Sequence, residues 1–219
     1  MNKFLPGVIA GLLTATPAYA ETPSPEVEVK VDTSLEVMAG LEAAVLDHKV
    51  SFPLRPGLSF FNRNLFTGVY SADQDYLSTF HIASLNFNIV DGLDLVTEAD
   101  LAMPSGEVDP RGGFQYFQQY GYFGMFNYAT FSPKGVDVLF ITELSYNPMF
   151  TKKVGLTANI EVLQDLGENF YNSTQRLRLG TNLGGYKFGP ALDLNQATDH
   201  GSNETTSKYN AGVFLKKNF

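Results

Sequence analysis

The chain has no cysteine, no tryptophan and only three histidines in 219 residues. Without cysteine it can hold neither a disulfide framework nor a thiolate-bound metal. Basic residues are few as well: 15 Lys and Arg stand against 23 Asp and Glu, a formal net charge of −8. That balance argues against nucleic acid as a partner. After residue 20 there is no apolar run long enough for a transmembrane helix. Aromatic residues, by contrast, are plentiful, with 18 Phe and 11 Tyr.

The opening "MNKFLPGVIAGLLTATPAYA" sets Lys3 before an apolar stretch over 4–13, then Ala18-Tyr19-Ala20 ahead of Glu21. This is the order of a secretory signal peptide cleaved after Ala20. The competing reading is an amphipathic or membrane-spanning helix. The apolar core is too short to span comfortably, and Pro6 and Pro17 interrupt it. An exported chain of about 199 residues, enough for one domain with a sizeable core, is expected to remain.

Residues 21–56 are expected to form a periplasmic N-terminal segment. It begins polar and proline-bearing. Within it, "SLEVMAGLEAAVLD" has the Ala, Leu and Glu content of a short helix over 35–46, with apolar residues near helical spacing. Such a helix would plug the mouth of a barrel or belong to a flexible leader.

After Pro56 the apolar pattern changes to period two and keeps it to the end. Ten strands are predicted, over 58–70, 77–89, 93–103, 113–119, 124–132, 137–147, 154–164, 174–183, 186–197 and 208–219. From Val154, the residues Val154, Leu156, Ala158, Ile160 and Val162 share one face, and Gly155, Thr157, Asn159 and Glu161 the other. Arg176 and Arg178 alternate with Leu177 and Leu179. Short links such as "VDG" and "YGYFG" tend to alternate with longer polar ones: "SADQDY", "PSGEVDPRGG", "QDLGENFYN" and "TDHGSNETTSK". "SPKG" is the exception. An even strand count with short turns on one rim and longer loops on the other is the layout of an outer-membrane barrel. The fold class is therefore all-β, a closed antiparallel up-and-down transmembrane β-barrel of about ten strands over 57–219. Lipid cannot hydrogen-bond an open sheet edge, so the sheet must close. A soluble sandwich or lipocalin-like barrel would turn its apolar residues inward instead.

The ending "AGVFLKKNF" resembles the C-terminal signature of bacterial outer-membrane β-barrels. Phe219, Leu215, Val213, Ala211 and Tyr209 occupy the matching positions, and Lys217 departs from the pattern. The resemblance implies recognition by the barrel-assembly machinery and a place among outer-membrane lipid. "FFNRNLF", "FQYFQQYG", "QRLRLG" and "FGPALDL" are similar to recurring segments of small uncharacterised bacterial barrel proteins, which implies no activity.

If the apolar set faces lipid, the polar set lines the interior. The candidate lumen charges are Arg63, Glu98, Asp100, Glu143, Glu161, Arg176, Arg178, Lys187 and Asp193. They would either line a narrow porin-like passage for a small solute or ion, or pair with one another into a network that fills and shapes the barrel. A surface-interaction role for the loops fits the second reading. A third class is a loop-sited hydrolase. Asp199 beside His200 faintly resembles the Asp/His pair of omptin-type surface proteases, but a second acidic pair is missing from the sequence pattern. His48 and His81 fall outside any motif. No nucleophile motif, phosphate loop or metal spacing is present, so no enzyme activity, cofactor or metal is expected.

Overall fold

The computed structural model describes residues 31–71, 74–102, 107–134, 137–168, 170–199, 201 and 204–219. The signal-peptide expectation for 1–20 lies outside the described residues. Among the described residues there are twelve strands: β1 Asp32–Gly40, β2 Ala43–Arg55, β3 Leu58–Ser71, β4 Gln74–Val90, β5 Leu93–Ala102, β6 Glu107–Tyr120, β7 Phe123–Phe131, β8 Val138–Tyr146, β9 Val154–Leu166, β10 Phe170–Leu183, β11 Tyr186–Asp199 and β12 Glu204–Asn218. Each pairs with its neighbours in sequence, and β1 pairs with β12 to close the barrel. All pairings are antiparallel.

Two sequence expectations are corrected here. The count is twelve rather than ten, and the helix over 35–46 is instead a β-hairpin. Leu35 to Gly40 lie in β1, Leu41 and Glu42 form the turn, and β2 runs on from Ala43. Helix propensity lost to pairing on both sides: β1 finds β12, and β2 finds β3. The barrel therefore begins at Asp32, inside the segment read as a separate N-terminal piece.

The long polar loops are corrected as well, because much of their length is strand. The link read as "TDHGSNETTSK" is spanned by β11 to Asp199 and β12 from Glu204. "QDLGENFYN" is likewise taken up by β9 to Leu166 and β10 from Phe170. A ladder needs only backbone groups, so it continues where both faces are polar. There, cross-strand hydroxyl and amide pairs such as Thr198–Thr205 at 3.0 Å and Thr174–Asn195 at 2.9 Å support it.

Chain ends and turns define two rims. Both ends of the barrel, Asp32 and Asn218, lie at one rim, called here the terminal rim, since Ser34 is opposite Asn218. Apart from the link over 147–153 its turns are tight, with positive φ at Gly92 (77°) after Asp91 and at Gly184 (60°) and Gly185 (86°). These are the residues that two-residue hairpins of matching twist require. The opposite rim, which carries the β1–β2 turn, is the distal rim.

The outer face is apolar. Val37, Leu144, Leu156, Ile160, Leu179 and Val213 all stand exposed on it. Tyr120, Tyr122, Phe123, Tyr146, Tyr186 and Phe219 are exposed around the terminal rim, and the Phe123 and Tyr146 rings lie 4.5 Å apart. Meanwhile Arg63, Glu161, Arg176 and Arg178 are buried. A soluble barrel would have the reverse arrangement; apolar outside and charged inside suits a sheet surrounded by lipid.

Candidate functional site

Alternation forces the charges inward, and the width of the barrel decides what they do there. Side chains of neighbouring strands fill an eight-stranded barrel; twelve strands leave a wider lumen that only long side chains can bridge. Arginine suits that task, because its planar fork reaches far and binds several carboxylates at once.

Arg63 on β3 grips Asp47 on β2 through Nε (3.1 Å) and Nη2 (2.7 Å), and reaches across the lumen to Glu161 on β9 at 2.7 Å. Arg176 on β10 reaches back to Asp47 at 2.6 Å, to Glu161 at 3.1 Å and to Glu36 on β1 at 2.9 Å. Arg178 shares Glu36 at 2.8 Å and takes Asp193 on β11 at 2.5 Å. Glu143 on β8 and Glu161 on β9 lie directly opposite one another, a repulsive arrangement by itself. Lys49, from β2 on the far side of the barrel, bridges both at 3.1 Å. Asn159 donates to Glu143 at 2.6 Å. Four cations and five carboxylates thus tie β1, β2 and β3 to β8, β9, β10 and β11 across the interior.

A second cluster lies towards the distal rim. Arg111 on β6 donates to Asp137 at 2.9 Å, and its charge also faces Asp109 (3.4 Å) and Asp100 (4.0 Å). Glu98 accepts from Tyr128 Oη at 2.5 Å and Thr130 Oγ1 at 2.8 Å. The interior is therefore polarised along its axis. Asp100, Asp109, Asp137 and Asp165 gather at the distal end, while Lys187 and Lys216 lie at the terminal end. Among the described residues, no group of three or more His, Asp or Glu could hold a metal ion.

Of the nine lumen charges picked from sequence, Arg63, Glu143, Glu161, Arg176, Arg178 and Asp193 meet in the central network. Glu98 and Asp100 belong to the Arg111 cluster. Lys187 stands apart, donating to Asn147 at 2.9 Å. Sequence reasoning missed Glu36, Asp47, Lys49 and Arg111. The first three lie in the segment 21–56 read as separate from the barrel, Glu36 within its expected helix, and Arg111 lies in a stretch read as a loop. The signal that would have found them is period two: Glu36 and Met38 are buried against an exposed Val37, and Asp47 follows Val45 on the buried face.

Two cavities approach the central network from opposite ends. The distal one, about 580 Å³, is bounded by Arg176 and Asp193 together with Asn172, Thr174, Asn195 and Asn210. The terminal one, about 220 Å³, ends on Arg63, Lys49 and Glu143. Arg63 and Arg176, each almost wholly buried, share Asp47 and Glu161 in the layer between.

Of the histidines, His81 bonds Asn64 at 2.8 Å and meets Phe66 edge-on at 5.3 Å. His48 follows Asp47 on β2 with the opposite facing. His200 lies outside the described residues. In the C-terminal strand Tyr209, Val213 and Leu215 are exposed, as is Phe219 just after it. Lys217 rests its ammonium 4.2 Å over the Tyr186 ring, which accounts for a lysine among apolar neighbours.

No protein-family model matches the chain, and no curated protein matches it. Among solved structures it is similar to in-vitro folded OmpT, an outer membrane protein of Vibrio cholerae in trimer form. That likeness has 9% identity and a TM-score of 0.30, and covers 88% of this chain and 99% of the other. It is too distant to bear on activity.

Proposed function

We propose that this chain is an exported outer-membrane barrel whose lumen is closed at its waist, and that it works through its surface-exposed rim rather than as an open porin. The observation that carries this is the layer of Arg63, Asp47, Glu161 and Arg176, where side chains 1–5% exposed separate the two cavities. Support for the location comes from the apolar outer face, the signal-peptide pattern of residues 1–20 and the C-terminal resemblance at Tyr209, Ala211, Val213, Leu215 and Phe219. In that setting the terminal rim is periplasmic and the distal rim faces outward. The reading is tested in planar bilayers. Purified barrel should give no sustained conductance at low voltage, and a steady open-channel current from the unmodified protein would overturn it.

A second reading is a narrow channel for small ions or solutes that conducts when the layer rearranges. The thinness of the layer favours it, since Arg176 bounds the distal cavity and Arg63 the terminal one. Arg176→Ala distinguishes the two. Under the channel reading it raises conductance and shifts selectivity towards cations, because a fixed positive charge is lost. Under the closed-barrel reading it costs stability and leaves conductance low.

A further inference from the structure

The terminal cavity differs from the rest of the interior. Barrels of this kind are polar within, yet one wall of this cavity is formed by Phe61, Phe117, Met125, Phe126, Tyr128 and Ile141. Part of that apolar set is structural. Tyr128 and Ile141 belong to the buried cluster that also contains Val96 and Leu139, and Phe61 and Phe126 pack against it. The space beside it, about 220 Å³, is left unfilled. An apolar cavity of about 150 Å³ is already large enough to take benzene, so one substituted aromatic ring fits the volume.

The inner end of the cavity is charged. Lys49 spends two of its three ammonium protons on Glu143 and Glu161, at 3.1 Å each. Its side chain is 21% exposed, whereas the neighbouring Arg63 is sealed at 1%. Lys216, on β12, lies within electrostatic reach of Glu143, and Lys187 within reach of both. Around the inner end Lys49, Lys187 and Lys216 thus stand with Glu143 and Glu161, and Lys49 is the one of the three lysines that lines the cavity. That leaves Lys49, partly exposed where it lines the cavity, with one further proton to offer an oxygen acceptor.

We infer that this cavity is a binding site for a small single-ring aromatic carboxylate, with its ring against the Phe61–Phe126 wall and its carboxylate on Lys49. The arrangement is that of a ligand pocket in general: mostly apolar lining, with a few polar groups at one end that fix orientation. The site lies on the terminal side of the closed layer and touches it through Arg63 and through the bond from Lys49 to Glu161.

The test uses the full-length mature barrel in lipid nanodiscs at neutral pH, with 4-fluorobenzoate as probe and its fluorine resonance as readout. Saturable, one-to-one binding is expected. The neutral isostere 4-fluorobenzamide should bind at least tenfold more weakly, and acetate, which has the charge without the ring, should not compete at equal concentration. Gly124→Leu fills the cavity mouth from β7; the atom an added Cβ meets there is the rotatable Ser145 Oγ at 2.7 Å. It should weaken 4-fluorobenzoate at least tenfold, and Ser145→Leu fills the same space from β8 if the first variant fails to assemble. Three outcomes overturn the assignment: no saturable binding to the unmodified barrel, equal affinity for acid and amide, or unchanged affinity in a folded filling variant.

Discussion

Arg178 shows what an interior residue does in this barrel. It is 3% exposed and holds two carboxylates from different strands, Glu36 and Asp193. Replacing it with leucine would leave Asp193 buried without its 2.5 Å partner and weaken the tie between β10 and β1. Breaking a buried pair from one side typically costs about 3–5 kcal/mol, so Arg178→Leu should lower unfolding stability by that order in urea titrations of the refolded barrel. Its conductance should stay as low as that of the unmodified protein. A loss below about 1 kcal/mol, the size of an exposed pair, would mean that the contact is not the buried one described. The inward placement of Arg176 and Arg178 was legible in the sequence, because they alternate with Leu177 and Leu179. Their partners were only half legible. Glu161 and Asp193 lie opposite Arg176 on the adjacent strands, whereas Glu36 and Asp47 come from β1 and β2, three and four strands away around the closed circle, which no local window reveals.

At the scale of elements, the seam between β1 and β12 is where closure is decided. It is a short ladder, running from Ser34 opposite Asn218 to Gly40 opposite Gly212. Two glycines meet at its distal end for a steric reason: a Cβ on Gly212 would stand 2.1 Å from the Ala39 carbonyl oxygen. Just beyond, Asn210 replaces backbone pairing with its side chain. Its Oδ1 accepts from the Glu42 and Ala43 amides at 3.0 and 3.2 Å, and its Nδ2 donates to the Ala43 carbonyl at 3.0 Å. Asn210→Ala should destabilise the barrel by about 1–3 kcal/mol, the cost of leaving buried backbone groups unsatisfied. It should also speed amide exchange at Glu42 and Ala43 ahead of the other strands; exchange unchanged at both would show that water replaces the side chain. At the other end of β12, Phe219 donates its amide to the Thr33 carbonyl at 2.8 Å and exposes its ring. Deleting Phe219 should reduce membrane assembly far more than deleting Gly201, as measured by protease-resistant barrel in outer-membrane fractions. Equal assembly of the two deletions would remove the proposed signal role. β1 and β2 were misread because Ala, Leu and Glu favour helix locally, while the pairing partner of β1 lies at the opposite end of the chain.

For the whole molecule, closure, width and charge are a single problem. Period two predicted a closed antiparallel barrel with a polar interior, and Leu77, Leu156 and Val213 do stand outside while Arg63 and Glu161 stand within. The strand count depended on whether residues 32–55 belong to the sheet, and composition pointed the wrong way. That difference can be tested directly by truncation. A chain restricted to residues 57–219 keeps ten of the strands but exposes the edges of β3 and β12, which β2 and β1 cover in the intact barrel. Lipid penalises an open edge. The same cut also removes Glu36, Asp47 and Lys49, leaving Arg63 and Arg176 without Asp47, Arg178 without Glu36, and Glu143 opposite Glu161 with no bridging cation. Re-closing as a ten-stranded barrel would therefore bury unpaired charge in a narrower lumen, at several kcal/mol for each broken pair. The mature chain from residue 21 should run faster unheated than boiled in gel electrophoresis, as a closed barrel does, whereas the truncated chain should show a single, heat-independent band. A heat-modifiable band from residues 57–219 alone would mean that β1 and β2 are dispensable and that the central network does not hold the barrel shut.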